Sequence, residues 1–294
     1  MLRDDVRLLG QRWVAANLWF LAPFSWLYAA LVFVRNRLYD WKLFPITRVP
    51  CTVVSIGNIV AGGSGKTPFT LMLASAFSHR KVAILSRTYG AISDEALLLA
   101  RRLPQVQVFT CKNRAKMAAQ IAPDFDLILL DDGFQHRKLH RDVDIVLVRP
   151  EKHYLPWGFL RDSPSRLQYA DAIFSQEDLQ LTVHRILDLK GNPIPSIAGW
   201  KMALFCGIAR PERFKKTVVS LGAIVTAEKI FADHALIDIS ELPQAEAYIC
   251  TEKDAVKLPP THLPIYYLEM RMQTPSLEKL VEKIDQKIDN RRRL

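Results

Sequence analysis

The sequence predicts an α/β protein built on a parallel, doubly wound sheet. Two observations indicate this fold class: short apolar runs alternate with helical periodicity beyond residue 50, and a glycine-rich loop stands between a predicted strand and a predicted helix. A length of 294 residues suggests about two domains. With 49% hydrophobic and 24% charged residues, the composition is typical of globular proteins and excludes a largely disordered chain.

Four short apolar runs in the first half of the chain are predicted to be buried strands. They are CTVVSI (51–56), VAIL (82–85), DLILL (126–130) and DIVLV (144–148). Three stretches among them repeat apolar residues at a spacing of three to four, which is typical of helices: 67–79, 94–103 and 113–121. This alternation predicts strands that run parallel, with helices crossing between them.

A second, smaller α/β unit is predicted after a change of pattern near residue 182. A stretch with proline and glycine extends to residue 200, and the runs ALFCG (203–207), YICT (248–251) and IYYLEM (265–270) follow it. We therefore expect an N-terminal helix in residues 1–35, a phosphate-binding domain in 36–185 and a second domain in 186–294. The last of these ends in a charged amphipathic helix near 275–290, typical of a solvated surface helix.

The N-terminus carries 22 consecutive residues without formal charge, from Trp13 to Val34. As a helix they would measure about 33 Å, enough to cross a hydrocarbon core of about 30 Å. Tryptophans and basic residues bracket the run, as membrane interfaces favour. Three interpretations remain open: a spanning or deeply inserted helix, a helix lying in the interface and broken near Pro23, and a buried core helix. The first two place the protein beside lipid.

The charge balance favours anionic partners. Forty Lys and Arg residues against thirty Asp and Glu give +10, which suits nucleotide phosphates, nucleic acid or an acidic membrane surface. No RNA- or DNA-binding motif occurs, so we expect no nucleic acid partner, and no obligate protein partner is evident. The four cysteines are scattered without metal-ligand spacing, which predicts neither a disulfide nor a zinc framework and indicates a reducing, cytosolic environment.

The segment SIGNIVAGGSGKTPFT (55–70) is predicted to bind nucleotide phosphates. Glycines let main-chain N–H groups turn inward, and the following helix adds positive potential at its N-terminus. Lys66 would reach the β- and γ-phosphates of ATP, and the Thr67 hydroxyl would contact Mg²⁺. The strict phosphate-loop pattern requires glycine where this chain has Val60. The predicted nucleotide-binding residues are Val60, Ala61, Gly62, Gly63, Ser64, Gly65, Lys66 and Thr67.

Two adjacent carboxylates, Asp131 and Asp132, end the buried run in LILLDDGFQHR (127–137). In P-loop proteins a carboxylate at such a strand end holds Mg²⁺ opposite the phosphate loop. The alternative is a pair of acids that opens a turn before Gly133. Beside the glycine-rich loop, the metal-binding interpretation is favoured, so Asp131 and Asp132 are predicted metal ligands together with Thr67.

These motifs resemble those of the tetraacyldisaccharide 4'-kinases of lipid A biosynthesis, and the resemblance covers nearly the whole chain. It rests on FVRNRLYDWKLFP (33–45), SIGNIVAGGSGKTP (55–68), LSRTYG (85–90), SDEALLLA (93–100), LLDDGFQHRKLHRDVDIVLV (129–148), LPWGFLRDSPSRL (155–167), FADH (231–234) and TEKDAVKL (251–258). The family pattern also lacks glycine at position 60. DDGFQHR and the order of the motifs are the specific part of the likeness.

The resemblance implies a function. It is transfer of the ATP γ-phosphate, with Mg²⁺, to the 4'-hydroxyl of a tetraacylated disaccharide 1-phosphate lipid, at the cytoplasmic face of the inner membrane. It implies a catalytic pair, Asp94 and His234, beside Lys66. It also implies that the substrate-binding residues are Arg114, Gln135, His136 and Arg161. Asp162 stands where the family usually has Glu, so any site contact through residue 162 is in question.

Two other functions fit parts of the sequence. A membrane-anchored P-loop ATPase would share the loop and the acid pair, and it would need no lipid acceptor. A basic membrane-surface protein without catalysis would show no turnover at all. Phosphate on an extracted glycolipid would exclude both.

Overall fold

The computed structural model describes residues 19–88, 93–232 and 235–292. Their strands form two six-stranded sheets. The strands of the first sheet are β1 (Thr52–Gly57), β2 (Val82–Arg87), β3 (Gln107–Cys111), β4 (Leu127–Asp131), β5 (Val143–Leu147) and β6 (Ala172–Phe174). Those of the second are β7 (Gln180–Asp188), β8 (Pro193–Ile194), β9 (Lys201–Cys206), β10 (Ile224–Ile230), β11 (Tyr248–Thr251) and β12 (Ile265–Gln273).

The helices of the described chain join and cover these sheets. They are α1 (Ala22–Asp40), α2 (Lys66–Ala76), α3 (Asp94–Arg102), α4 (Arg114–Ile121), α5 (Pro211–Ser220), α6 (Glu252–Ala255) and α7 (Leu277–Arg292). Short 3-10 turns add Trp19–Leu21, Ala122–Asp124, Pro164–Tyr169 and Ile239–Glu241.

The first sheet has the strand order β3-β2-β4-β1-β5-β6, and all its pairings are parallel. Strands β1 and β4 are neighbours near the middle, so the segments after them emerge side by side at the same edge. Both strands are buried along their whole length, because helices cover both faces of the sheet. This confirms the predicted parallel α/β fold.

Alternate residues of the central strands pack against opposite helical layers. On one face Val54 and Leu129 join a core with Phe69 of α2, Leu99 of α3 and Ile284 of α7. The opposite core consists of the intervening strand residues with apolar residues of α4: Val53, Ala83, Leu85, Ile128 and Leu130 with Ala115, Ala118 and Ile121. The sheet is therefore doubly wound.

The second sheet has the order β10-β9-β11-β12-β7-β8. Four neighbouring strands are parallel, while β7 pairs antiparallel with β12 and β8 antiparallel with β7. The predicted division at residue 185 falls inside β7, and α7, from the end of the chain, packs on the first sheet. Strand grouping alone does not test independent folding, so the division into domains stays a prediction.

The described part of the N-terminal apolar run forms the 3-10 turn at 19–21 and then α1, which continues to Asp40; residues 13–18 lie outside the described chain. Pro23 stands in the first turn of α1, where its missing N–H removes no bond, so it begins the helix and does not break it. No helix in the described residues has the length and apolar character needed to cross a membrane. The interpretation as a buried core helix is wrong, since most of its large apolar side chains are exposed.

Candidate active site

The phosphate loop (residues 57–67) connects β1 to the start of α2. Gly65 precedes the helix with φ of +82°, a left-handed conformation that side chains with a Cβ rarely adopt. The Asn58 side-chain amide donates to Ser64 Oγ at 2.7 Å, which ties the two ends of the loop together. Helix α2 then begins at Lys66, so its first N–H groups lie at the loop.

Val60, the departure from the strict loop pattern, has a structural reason. Its side chain is fully buried, and its main chain forms a β-bridge with Leu160. The next residue continues the pairing, because the Ala61 N–H donates to the Phe159 carbonyl at 2.7 Å. Position 60 therefore holds extended, packed main chain, where a β-branched residue fits better than glycine.

Asp131 is the last residue of β4, opposite Ile56 of β1 in the sheet register. Its carboxylate is buried; Oδ2 accepts a long hydrogen bond from Ser86 Oγ at 3.4 Å, and Oδ1 has no hydrogen-bond partner. Burial, and next the charge of Asp132, raise the pKa of Asp131 to about 6. A buried carboxylate oxygen without a donor suits a bound cation.

Asp132 has a left-handed backbone with φ of +52°, which aspartate tolerates better than most residues. Its carboxylate makes a two-pronged ion pair with Arg161, and Oδ1 lies 3.6 Å from Lys66 Nζ. Burial raises the pKa of Asp132, but the Arg161 hydrogen bond and the charges of Lys66, Arg161 and Arg114 outweigh it and hold the pKa at about 2. The phosphate-loop lysine and the acid pair thus share one charged cluster.

Asn58 organises this cluster, and the sequence did not single it out. Fully buried after β1, it accepts bonds from Arg161 at its side-chain oxygen and from Gln135 Nε2 at its carbonyl, the latter at 2.7 Å. The signal for it was a polar residue directly after a buried strand and before the loop. Through Asn58, the predicted substrate-binding residues Gln135 and Arg161 are brought to the phosphate loop.

Arg114 contacts the main chain of the acid pair, and His136 follows that pair in the sequence. Arg114 is buried at the start of α4, and its Nη1 donates to the carbonyls of Asp131 at 2.6 Å and Asp132 at 3.2 Å. Burial and then neighbouring cations, Arg114 first among them, lower the pKa of His136 to about 4. The His136 imidazole is therefore neutral at physiological pH.

Asp94 begins α3, and lysines of the second sheet face it. Its Oδ2 lies 3.5 Å from Lys257 Nζ and 4.0 Å from Lys253 Nζ. After burial and Asp132, the charge of the next residue, Glu95, also raises the pKa of Asp131. His234, the other member of the predicted catalytic pair, lies outside the described residues.

Asp162 contacts the N-terminal helix. It is buried and accepts from Asn36 Nδ2 at 2.8 Å and from the Ser163 N–H at 2.8 Å. Because Asp162 directly follows Arg161, its bond to Asn36 connects the segment that carries Arg161 to α1.

Among the described residues, no group of three or more His, Cys, Asp or Glu side chains is arranged to hold a metal by itself. Mg²⁺ at phosphate sites is usually held by one or two carboxylates together with phosphate oxygens and water. The Asp131 oxygen without a donor and the neighbouring Asp132 match that smaller protein contribution.

A parallel sheet with a glycine-rich loop before a helix, and with carboxylates ending the adjacent strand, defines a nucleotide-binding protein of the P-loop class. Comparison with known proteins narrows the class. The family described as tetraacyldisaccharide-1-P 4'-kinase matches residues 17–289, and the chain belongs to this family.

Relatives and a solved structure agree with this assignment. The chain is 34% identical to a tetraacyldisaccharide 4'-kinase of Chlamydia abortus, with 89% of each chain covered. It is 35% identical to the same-named protein of Chromobacterium violaceum, covering 86% of this chain and 88% of that one. A crystal structure of LpxK from Aquifex aeolicus, an "apo" form in complex with ATP, matches with a TM-score of 0.79 at 30% identity, covering 91% of this chain and 98% of that one.

Proposed function

We propose that this protein is an ATP-dependent tetraacyldisaccharide 4'-kinase of lipid A biosynthesis. It transfers the γ-phosphate of ATP to the 4'-hydroxyl of a tetraacyldisaccharide 1-phosphate. Membership of the family supports the reaction, and the LpxK structure described with ATP supports the nucleotide. The observation that carries the proposal within this chain is the meeting of Lys66, Asp132 and Arg161 at the phosphate loop.

The phosphate loop binds the ATP phosphates. Main-chain N–H groups from residues 62–67 and the start of α2 supply a positive concavity, and Lys66 supplies a charge for the β- and γ-phosphates. In this structure the Lys66 ammonium lies near Asp132. Bound phosphate would offer Lys66 further anionic oxygens, and such charge stabilisation is the main contribution a protein makes to phosphoryl transfer.

Mg²⁺ fits the cleft through Asp131, Asp132 and the Thr67 hydroxyl. When bound, Mg²⁺ would supply positive charge against the negative charge that develops on the phosphate oxygens during transfer. Two features of the chain favour a bound cation. Asp131 is buried without a donor on Oδ1, and Arg161 keeps Asp132 ionised. Arg114 fixes the main chain of both carboxylates through its bonds to their carbonyls.

The acceptor hydroxyl is activated by the pair Asp94 and His234. The His234 imidazole takes the proton from the 4'-hydroxyl, the hydroxyl oxygen forms a bond to the γ-phosphorus, and the bond to the bridging oxygen breaks to release ADP. Asp94 orients the imidazole and stabilises its protonated form. Arg161, partly buried and paired with Asp132, contacts the phosphate of the lipid substrate with Gln135 and His136 nearby, since a guanidinium matches phosphate oxygens.

The protein works at the cytoplasmic face of the inner membrane, held there by α1. Most large apolar side chains of α1 and its flanking turns are exposed, as in Trp19 at 71% and Trp26 at 70%, while the polar Ser25 and Asn36 of the helix are buried. Lys42 and Arg35 flank the apolar residues with positive charge. A helix that turns aromatic residues outward beside basic ones suits a lipid interface.

Incubation with γ-labelled ATP and a tetraacyldisaccharide 1-phosphate, followed by mass analysis of the lipid fraction, tests the activity. We expect one added phosphate on the lipid with the wild type and none with Lys66→Ala, whose circular dichroism should match the wild type. Inorganic phosphate release without a phosphorylated lipid would favour the ATPase alternative. Equal lipid phosphorylation by Lys66→Ala would contradict the assignment of the phosphate loop.

A further inference from the structure

The segment TEKDAVK (251–257), which ends β11 and forms α6, faces Asp94 with two lysines but contains none of the predicted site residues. Within it, Lys257 has an almost fully buried side chain, 3% exposed. Its ammonium lies 3.0 Å from Asp254 Oδ1 and 3.5 Å from Asp94 Oδ2, and it donates to the Ala235 carbonyl at 3.0 Å. The ammonium group thus makes one hydrogen bond, to a main-chain carbonyl, and two ion pairs.

Asp254 holds this lysine from the side of the second sheet. It is fully buried, and its Oδ2 accepts from the Gly207 N–H at 3.1 Å and from Thr251 Oγ1 at 2.5 Å. Gly207 follows β9 and Thr251 ends β11, so these bonds tie Asp254 to two adjacent strand ends. A buried carboxylate so bonded is a rigid support, and it offsets the cost of burying the lysine charge.

We infer that Lys257 is a positioning residue that fixes Asp94 relative to the main chain at Ala235, the residue after His234. Asp94 belongs to a helix of the first sheet, whereas Ala235 lies in the second half of the chain and directly follows His234. The bond from Lys257 restricts the main chain at Ala235. One ammonium group thereby links Asp94 to the residue that follows His234 in the sequence, and this inference rests on the proposed function.

Other ion pairs between α3 and the second half of the chain do not link Asp94 to Ala235. Lys253 Nζ lies farther from Asp94, at 4.0 Å, and lies 3.5 Å from Glu95. At the opposite end of α3, Arg102 pairs with Glu252 at 2.9 Å and with Glu269 at 3.5 Å. Arg102 therefore joins the same helix to the second sheet without touching Asp94, which makes it a matched control.

The test compares Lys257→Met with Arg102→Met in the full-length enzyme. Displacement of a reacting group by about 1 Å costs on the order of 100-fold, so Lys257→Met should lower kcat about 10- to 100-fold with the KM for ATP within about twofold of wild type. Arg102→Met should keep kcat near wild type, even where its thermal stability falls. In an Asp94→Asn background, Lys257→Met should cause little further loss, because its target is already removed. Lys257→Arg, which keeps the charge, should recover part of the activity.

A second readout does not depend on kinase activity. Hydrogen exchange of main-chain amides in residues 231–236 should be faster in Lys257→Met than in the wild type and unchanged in Arg102→Met. Where Lys257→Met does not fold, Lys257→Met with Asp254→Asn removes the unpaired buried charge and should show the same two effects. Unchanged kcat and exchange in the folded variant, or equal kcat losses with Arg102→Met, would overturn the inference. A wild type without lipid phosphorylation would overturn the proposed function, and the exchange data would still decide the role of Lys257.

Discussion

Asp131 and Asp132 are adjacent in the chain, yet they lie in opposite electrostatic environments. Asp131 ends a buried strand and has few donors, so its pKa is raised to about 6. Asp132 turns into a left-handed conformation toward Arg161 and Lys66, and its pKa is held at about 2. Two carboxylates with separated pKa values have different tasks available to them. Asp132 is therefore anionic near neutral pH, while Asp131 titrates closer to neutrality.

His136 predicts a pH dependence of stability at the residue scale. Its pKa is lowered from 6.5 to about 4 in the folded protein, so the unfolded chain binds a proton more readily. Its contribution to stability is therefore present above pH 6.5 and is lost as the pH falls toward 4. In urea titrations from pH 7 to pH 4.5, His136→Asn should lose less stability than the wild type, by on the order of 1 kcal/mol for this half-buried ring.

The control for this experiment is His262→Asn, which replaces an exposed histidine. It should follow the wild-type dependence. Parallel stability curves for the wild type and His136→Asn over the whole range would contradict the prediction.

At the scale of single elements, α1 is unusual because its polar Ser25 and Asn36 are buried while most of its large apolar side chains are exposed. Ser25 Oγ donates to the Tyr154 carbonyl at 2.9 Å, and Asn36 Nδ2 donates to Asp162 at 2.8 Å. The Tyr28 hydroxyl donates to the Arg161 carbonyl at 3.2 Å. The helix is thus hydrogen-bonded to the segment that carries Arg161. Removing α1 would loosen a predicted substrate contact as well as any membrane contact, so point changes test membrane binding more cleanly than truncation.

The exposed face of α1 predicts a separable membrane-binding function. Trp26→Glu with Leu31→Glu changes two exposed side chains of the helix and leaves its hydrogen bonds intact. We expect this variant to lose at least about tenfold in affinity for anionic vesicles, because two large apolar groups leave the interface and two negative charges enter it. Vesicle co-sedimentation measures the effect, with ATP binding as the test of an intact fold.

The matched control is Asn36→Ala, which removes the buried bond to Asp162 and leaves the exposed face unchanged. It should bind vesicles like the wild type and lose activity instead. Vesicle binding that does not change in the double glutamate variant would argue against an interfacial role for α1.

At the scale of the whole molecule, the last helix of the chain, α7, returns to the first sheet. Helix α7 follows the last strand of the second sheet but packs on the first, where Leu280, Ile284 and Ile288 are buried beside α2 and β1. Arg291 of the same helix reaches Asp142 at 2.8 Å. Helix α3 in turn belongs to the first sheet and pairs with the second at both ends, through Asp94 and Arg102. The two sheets are therefore joined by contacts from several distant parts of the chain.

Because α7 packs on the first sheet, we expect this helix to stabilise the sheet that carries the phosphate loop. Ile284 is fully buried, and Ile284→Ala should lower the free energy of unfolding by about 2–4 kcal/mol through lost burial and a residual cavity. Chemical denaturation followed by circular dichroism measures this change. Gln286→Ala, on the exposed side of the same helix, should change stability by less than about 0.5 kcal/mol. Equal effects of the two substitutions would show that α7 does not support the core.

Local signals in the sequence were enough for the parallel sheet, the phosphate loop and the acid pair. Buried strands of a doubly wound sheet are short apolar runs, and the loop needs glycines before a lysine, so both leave a pattern within a few residues. The edge strand β3 escaped prediction because its residues are partly exposed and lack a continuous apolar run.

Only the tertiary structure decided which distant side chains meet. Arg161 contacts Asn58 and Asp132, and Lys257 contacts Asp94. The partners Arg161 and Asn58, and likewise Lys257 and Asp94, are more than one hundred residues apart in the sequence. Such contacts depend on strand order and on packing between the sheets, which no local pattern encodes. The sequence also did not predict which face of α1 is exposed. Hydropathy identifies an apolar helix, but it does not show which of its side chains form hydrogen bonds with the rest of the protein. The physical reason is that composition and periodicity act over one or two turns of chain, whereas a site is assembled by the whole fold.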